Sequence, residues 1–215
     1  KKSIIPIHDG NGISLLTEDE LIREVTTLES LSKLKPYFAE IGASGADTLA
    51  LSKYSQLTQI NHFHHAGSSP AIADGASLVL IGNQNKGQEL GLRPRAKILA
   101  SATASCEPIL MLVGPTLATQ KALKKCQLKI EDMDLVEMNE SFSGPVLKFQ
   151  KDLGIPSSKI NVNGGAIALG HPLGATGAML VGTIVDELER RNLKYGLVTL
   201  CAGAGLATAT IIQRI

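Results

Sequence analysis

A histidine and a cysteine, each set in a glycine-rich turn, lie close to the C-terminal end of the chain. His171 sits in Gly170-His171-Pro172-Leu173-Gly174, and Cys201 opens Cys201-Ala202-Gly203-Ala204-Gly205. Glycine lets backbone approach a ligand closely and take dihedrals closed to other residues. Such turns expose a reactive side chain beside free backbone N–H groups. An imidazole paired with a thiol suggests proton transfer at an activated sulfur or carbon centre.

Each of these side chains needs an element behind it. His171 precedes a segment, 175–191, whose apolar Met179, Leu180, Ile184, Val185 and Leu188 recur at helical spacing. The partial positive charge of that helix start disfavours imidazolium and would keep His171 neutral; a histidine that fills a turn is the other reading. Cys201 ends a strand and enters Gly-x-Gly, where the N–H groups of Gly203 and Gly205 could stabilise an oxyanion or thiolate. A buried structural cysteine is the alternative there. Asn139 follows a predicted strand over 134–138 directly, at the strand end where α/β sheets present ligand contacts, although helix capping is the commoner use of Asn.

Composition narrows the class. The 215 residues are 44% hydrophobic, with 21 basic against 20 acidic side chains, 3% aromatics and no Trp. That length and apolar content suit a globular chain with a sizeable core. The charge balance gives no argument for nucleic acid or membrane surfaces, and base-stacking platforms are not expected. No run approaches the roughly 18 apolar residues of a membrane span. Cys106, Cys126 and Cys201 show no CxxC spacing and, with no secretory leader at Lys1–Pro6, imply reduced thiols and a cytoplasmic setting. His62, His64 and His65 lack a companion carboxylate or cysteine set, so no metal site is expected. Gly164 to Gly170 lacks the Gly-Lys-Ser/Thr end of a phosphate loop. Lysines over 121–129 read as a solvated helix face.

The pattern along the chain changes near residue 70. Before it, a short strand over 4–7, a turn at 9–12 and a helix capped by Thr17 stand among polar, irregular sequence. After it, a small-residue helix over 71–80, running into a strand at 78–82, leads to alternating elements. These are a strand over 96–104, a helix over 115–126 opened by Gly114-Pro115, a strand over 134–138 and a helix over 142–153 ended by Gly154. A short strand over 159–162, the helix over 175–191 and a hairpin of strands over 196–200 and 207–212 follow. Asp186 with Arg190, and Glu187 with Arg191, are expected as solvent-side pairs. The fold class is α/β: a layered α/β/α domain from about 91 to 215 around a mixed five-stranded sheet.

Together these stretches resemble the thiolase family. Residues 163–178, Asn163-Gly164-Gly165 through Gly170-His171-Pro172 to Gly177-Ala178, are similar to its long C-terminal signature. Asn139-Glu140-Ser141-Phe142-Ser143 resembles its Asn-Glu-Ala-Phe-Ala block, and Cys201-Ala202-Gly203-Ala204-Gly205 its Cys-x-Gly-x-Gly block. Upstream, Thr26 to Pro36 is similar to part of the family's loop domain, and Ala66–Ser69 with Asp74–Ala76 to the stretch leading out of it.

The resemblance implies a thiolase-like fold divided as 1–69, the tail of the loop domain; 70–90, the end of the N-terminal half; and 91–215, the C-terminal domain. A thiolase's nucleophilic cysteine belongs to an N-terminal half absent here, and Cys106 and Cys126 stand in the wrong contexts to replace it. The chain is therefore expected to be the C-terminal portion of an acyl-CoA C-acyltransferase, inactive alone and prone to self-associate through the apolar face left bare. His171 would activate the missing cysteine, Cys201 would act as acid/base, and Asn139, through water, would help His171 stabilise the enolate. The Gly203 N–H would serve the acyl-enzyme oxyanion. Phe142 would line the pantetheine path, and Ser69 would substitute for a coenzyme A-contacting serine that aligns with Pro70. Coenzyme A thioesters are the implied substrates, with no covalently bound cofactor, and the implied partners are the missing half and further copies in a dimer or tetramer. A non-catalytic coenzyme A-binding or assembly module is the competing class. A ketoacyl synthase would place a second histidine where Cys201 stands.

Overall fold

The computed structural model describes residues 4–215; Lys1, Lys2 and Ser3 of the expected loop-domain tail lie outside the described residues. Strand β1 (Ile7–His8) pairs antiparallel with β2 (Ser14–Leu16). The Asp9 carboxylate closes the turn between them, accepting from the N–H groups of Asn11 and Ile13, the local bonding that suits Asp to turns. The expected strand over 4–7 is thus confined to its last residue and extends to His8.

No helix follows Thr17. The reciprocal cap forms instead at Thr27, whose hydroxyl accepts from the Ser30 N–H while the Ser30 hydroxyl accepts from the Thr27 N–H. It opens α1 (Leu28–Ser32). Helix α2 (Ala39–Ile41) then runs through a π turn into α3 (Asp47–Lys53).

The expected helix over 71–80 and strand over 78–82 are both absent; the segment is an extended strap. Its contacts explain why. The Ala71 carbonyl accepts from the His171 N–H at 2.8 Å, and the Ser77 hydroxyl donates to the Ala175 carbonyl at 2.6 Å. In a helix the Ala71 carbonyl would accept from the Gly75 N–H; here His171 takes it, and Ile72 bridges to His171 as a strand does. The helical reading rested on small residues, Ala71, Ala73 and Ala76, whose propensity is a weak prior. Helix α4 (Gln84–Glu89), capped by Asn83, follows.

The remaining elements are β3 (Ala96–Ser105), α5 (Gly114–Cys126), β4 (Leu135–Met138), α6 (Ser143–Leu153), α7 (Ala166–Leu169), α8 (Thr176–Arg190), β5 (Tyr195–Ala202) and β6 (Leu206–Arg214). The sheet runs β3-β6-β5-β4, with β4 parallel to β5 and the other neighbours antiparallel. It is mixed, as expected, but four-stranded. The expected fifth strand over 159–162 reduces to a single bridge of Ile160 to Val136. Asn161 is the cause. Its φ of 45° bends the chain away, and its side-chain amide bonds the Met138 N–H and carbonyl in place of backbone.

Alternation along the strands builds three layers. On one face, Ala104, Val136, Met138, Leu197 and Ile211 pack with α5 and α6 through Ala118, Ala122 and Phe149. On the other, Leu135, Val198 and Ile212 pack with Ile184, Val185 and Leu188 of α8. Glu187 departs from its expected place on the solvent side. Its carboxylate is buried, ion-paired to both Arg190 and Arg191, and accepts from the Asn163 amide at 2.9 Å. Asp186 pairs with Arg95 at 2.6 Å. Two of the expected solvated lysines lie along the β3 edge, Lys121 donating to the Thr103 carbonyl and Lys125 to that of Ser101. Such caps blunt an open strand edge. Among the described residues, no helix is long and apolar enough to cross a membrane.

Candidate active site

Four side chains from three separate stretches meet at the top of β4 and β5. Asn139 leaves β4, anchored by its N–H to the Thr199 carbonyl at 3.0 Å, and is only 2% exposed. Its amide nitrogen donates to the Ser141 hydroxyl at 3.0 Å and lies 3.5 Å from Nε2 of His171. The Ser141 oxygen in turn is 3.1 Å from Sγ of Cys201, near the end of β5. A continuous polar row therefore joins His171, Asn139, Ser141 and Cys201.

His171 is held from two sides. Its backbone bridges to Ile72 of the strap, and Nδ1 lies 2.7 Å from the hydroxyl of buried Thr176. Gly170 makes the approach possible: at φ 89°, a Cβ there would sit 2.5 Å from Leu21 and 2.7 Å from Ala73. With Nδ1–H donated to Thr176, the Nε2 lone pair faces Asn139 and the site. Burial pushes the imidazole below its ordinary 6.5, so it is neutral near physiological pH. The neutral state agrees with the sequence reading, but its cause is desolvation. The ring also meets the start of α8, whose first residue is Thr176.

Cys201 is held as a thiol. Burial raises it above its ordinary 9.0, the Ser141 hydroxyl and its own backbone pull it back, and the Cys106 thiol adds to the rise. The Asn139 amide oxygen is buried without a hydrogen-bond partner. A buried acceptor left open costs free energy, and such gaps cluster where ligands or waters bind.

Two residues of the site escaped sequence reading. Ser141 is one; its only signal was a hydroxyl where the family block has Ala. Glu140 is the other. Its carboxylate accepts from the Asn161 amide and the Ile167 N–H, each at 3.0 Å. Gly165 must be glycine for this, since a Cβ would fall 2.2 Å from the Glu140 carboxyl carbon. Glu140 thereby fixes the loop that carries His171.

Gly203 is exposed at the β5–β6 tip, which turns through Ala204 at φ 60° and Gly205 at φ 84°. Gly205 packs so closely on Cys106 that a Cβ would lie 2.6 Å from its carbonyl. Phe142 precedes α6 and sets its ring edge-on to Phe38 at 5.5 Å and against His64 at 5.0 Å. The Ser69 hydroxyl is turned into its own loop, donating to the His65 carbonyl at 2.9 Å. Of the three histidines, His62 pairs with Asp47 at 3.0 Å, His64 contacts Ser68, and His65 accepts from the Gly67 N–H. They do not converge.

The model of the thiolase C-terminal domain matches residues 92–214, more than half of the chain. The chain belongs to the thiolase family. It is 42% identical to a 3-ketoacyl-CoA thiolase of Photobacterium profundum and 44% identical to that of Vibrio parahaemolyticus, covering all of this thiolase chain but 52% and 51% of theirs. It thus spans about half the length of the curated relatives it matches. Among solved structures it is similar to the Bacillus anthracis acetyl-CoA acetyltransferase, with a TM-score of 0.80 and 33% identity over 94% of this chain and 46% of that one. For human mitochondrial 3-ketoacyl-CoA thiolase the TM-score is 0.79 and the identity 35%, over 97% and 48% of the two chains. The layered α/β fold is a thiolase fold.

Proposed function

We propose that this chain supplies the acid/base half of an acyl-CoA C-acyltransferase that cleaves and forms 3-ketoacyl-CoA. The observation that carries this reading is the polar row from His171 through Asn139 and Ser141 to Cys201. In the cleavage direction, a cysteine thiol from the other half gives its proton to neutral His171. Its sulfur attacks the 3-keto carbon, and the bond from that carbon to C2 breaks. The electron pair goes to C2 as an enolate, which the Cys201 thiol protonates to release acetyl-CoA. Coenzyme A then attacks the acyl carbon, its thiol proton passing to the Cys201 thiolate; the bond from that carbon to the acylated cysteine breaks, and the departing sulfur takes its proton back from His171. Asn139 and His171 stabilise the enolate oxygen, and the Gly203 N–H the acyl-enzyme oxyanion.

Several expectations complete the reading. Residues 1–69 are the tail of the loop domain, 70–90 the end of the N-terminal half and 91–215 the C-terminal domain. Phe142 and Ser69 border the coenzyme A path, the intact enzyme is a cytoplasmic homo-oligomer, and this chain alone does not turn over. Support for a covering half comes from the strap, where Ile72 is 85% and Leu78 95% exposed.

Thiolysis of acetoacetyl-CoA by the full-length protein tests the assignment. His171→Ala and Cys201→Ala should each lower kcat by at least about 100-fold, the usual scale for loss of an acid or base. Near-normal turnover in both would refute it.

A further inference from the structure

Ser141 is a hydroxyl that neither the thiolase block nor the mechanism above requires. We propose that Ser141 positions Cys201: its hydroxyl, pinned by the Asn139 amide, donates to the Cys201 sulfur and steadies the thiolate formed when Cys201 gives up its proton. This rests on the reading of Cys201 as acid/base.

The donor and acceptor roles follow from chemistry. An amide N–H can only donate, so at 3.0 Å from Asn139 Nδ2 the Ser141 oxygen is an acceptor. The hydroxyl proton must then point elsewhere, and the Cys201 sulfur lies 3.1 Å away. A thiolate can only accept, so in that state Ser141 is the donor. The amide polarises the hydroxyl and strengthens the bond it gives. Ser141 is a clamp and not a relay. The amide nitrogen beyond it is no base, so the Cys201 proton has no exit on that side and goes to substrate.

The surroundings leave this task to Ser141. Among titratable groups, Cys106 just past β3 pushes Cys201 up, in the same sense as burial. His171 is separated from it by Asn139 and Ser141 along the row. Glu140 is turned to Asn161 and Ile167. Alternation places Glu137 with Leu135 on the α8 face of β4, opposite the face that Leu197 and Cys201 share. Of the side chains around Cys201, Ser141 alone pulls towards the thiolate.

The test is the pH dependence of Cys201 alkylation by iodoacetamide in the full-length protein, read on the Cys201 peptide by mass spectrometry. Ser141→Ala should move the midpoint up by about one pH unit, the scale of one lost hydrogen bond to an ionised group. It should also lower kcat for thiolysis with KM unchanged. Ser141→Thr, which keeps the hydroxyl, should hold the wild-type midpoint. An unmoved midpoint in Ser141→Ala, or an equal shift in Ser141→Thr, overturns the proposal. If the wild-type protein shows no thiolysis, the functional reading fails while the alkylation midpoint still reports on the clamp.

Discussion

Apolar side chains fare oppositely in the two parts of this chain. Between 92 and 214, Leu197, Ile184 and Ile211 are wholly buried, whereas in the preceding part Val25, Ile72 and Leu78 are 85–95% exposed. The residue types are alike; the partners differ. Leu197 has α5 and α6 over it and Ile184 has the sheet beneath it, while the strap meets the domain along one edge, at Ala71, Ile72, Ala73, Gly75 and Ser77. That edge holds His171. The contrast separates two tasks, since the packed region makes the polar row and the strap sets one end of it.

The largest effect expected of this contrast is on stability. Leu197→Ala should cost about 2–5 kcal/mol in denaturant unfolding of the chain, as for other cavities in a closed core. Leu78→Ala should cost less than about 0.5 kcal/mol there, as exposed sites do. In the full-length protein the proposed N-terminal half covers the strap, so Leu78→Ala should become costly; equal costs for Leu78 in both settings would break the comparison.

A smaller effect marks where the two parts touch. The Tyr54 hydroxyl donates to Glu107 at 2.6 Å, which lifts the phenol to about 12 and holds the carboxylate down. Spectrophotometric titration should show one late-ionising tyrosine that Tyr54→Phe removes. Loss of a step at the ordinary tyrosine position instead would show that this bond does not persist.

What the sequence disclosed follows the same division. Helix α8 was legible because Leu180, Ile184, Val185 and Leu188 face one sheet, and α5 because Gly114-Pro115 marks its start. The hairpin of β5 and β6, with Cys201 just before its bend, was legible for the same reason: local pattern and tertiary demand agree there. They part company in the strap, where Ala71, Ala73 and Ala76 favour helix but His171 takes the Ala71 carbonyl and pairs with Ile72. They part again at Thr17, where the acidic Glu18-Asp19-Glu20 imitates a cap that forms at Thr27. The fifth strand was misread because Asn161 substitutes a side chain for backbone, which no periodicity reveals. Within the site, His171, Asn139 and Cys201 were marked by their turns and strand ends. Ser141 and Glu140 were not, since their value lies in what they touch across the fold.

Whether His171 and Cys201 serve one reacting centre is best measured by a double-mutant comparison of kcat for thiolysis in the full-length protein. Residues that act as a unit lose activity together, so His171→Ala with Cys201→Ala should be about as slow as the slower single variant. Losses that multiply, each variant subtracting its own full share from the rate, would contradict a shared centre.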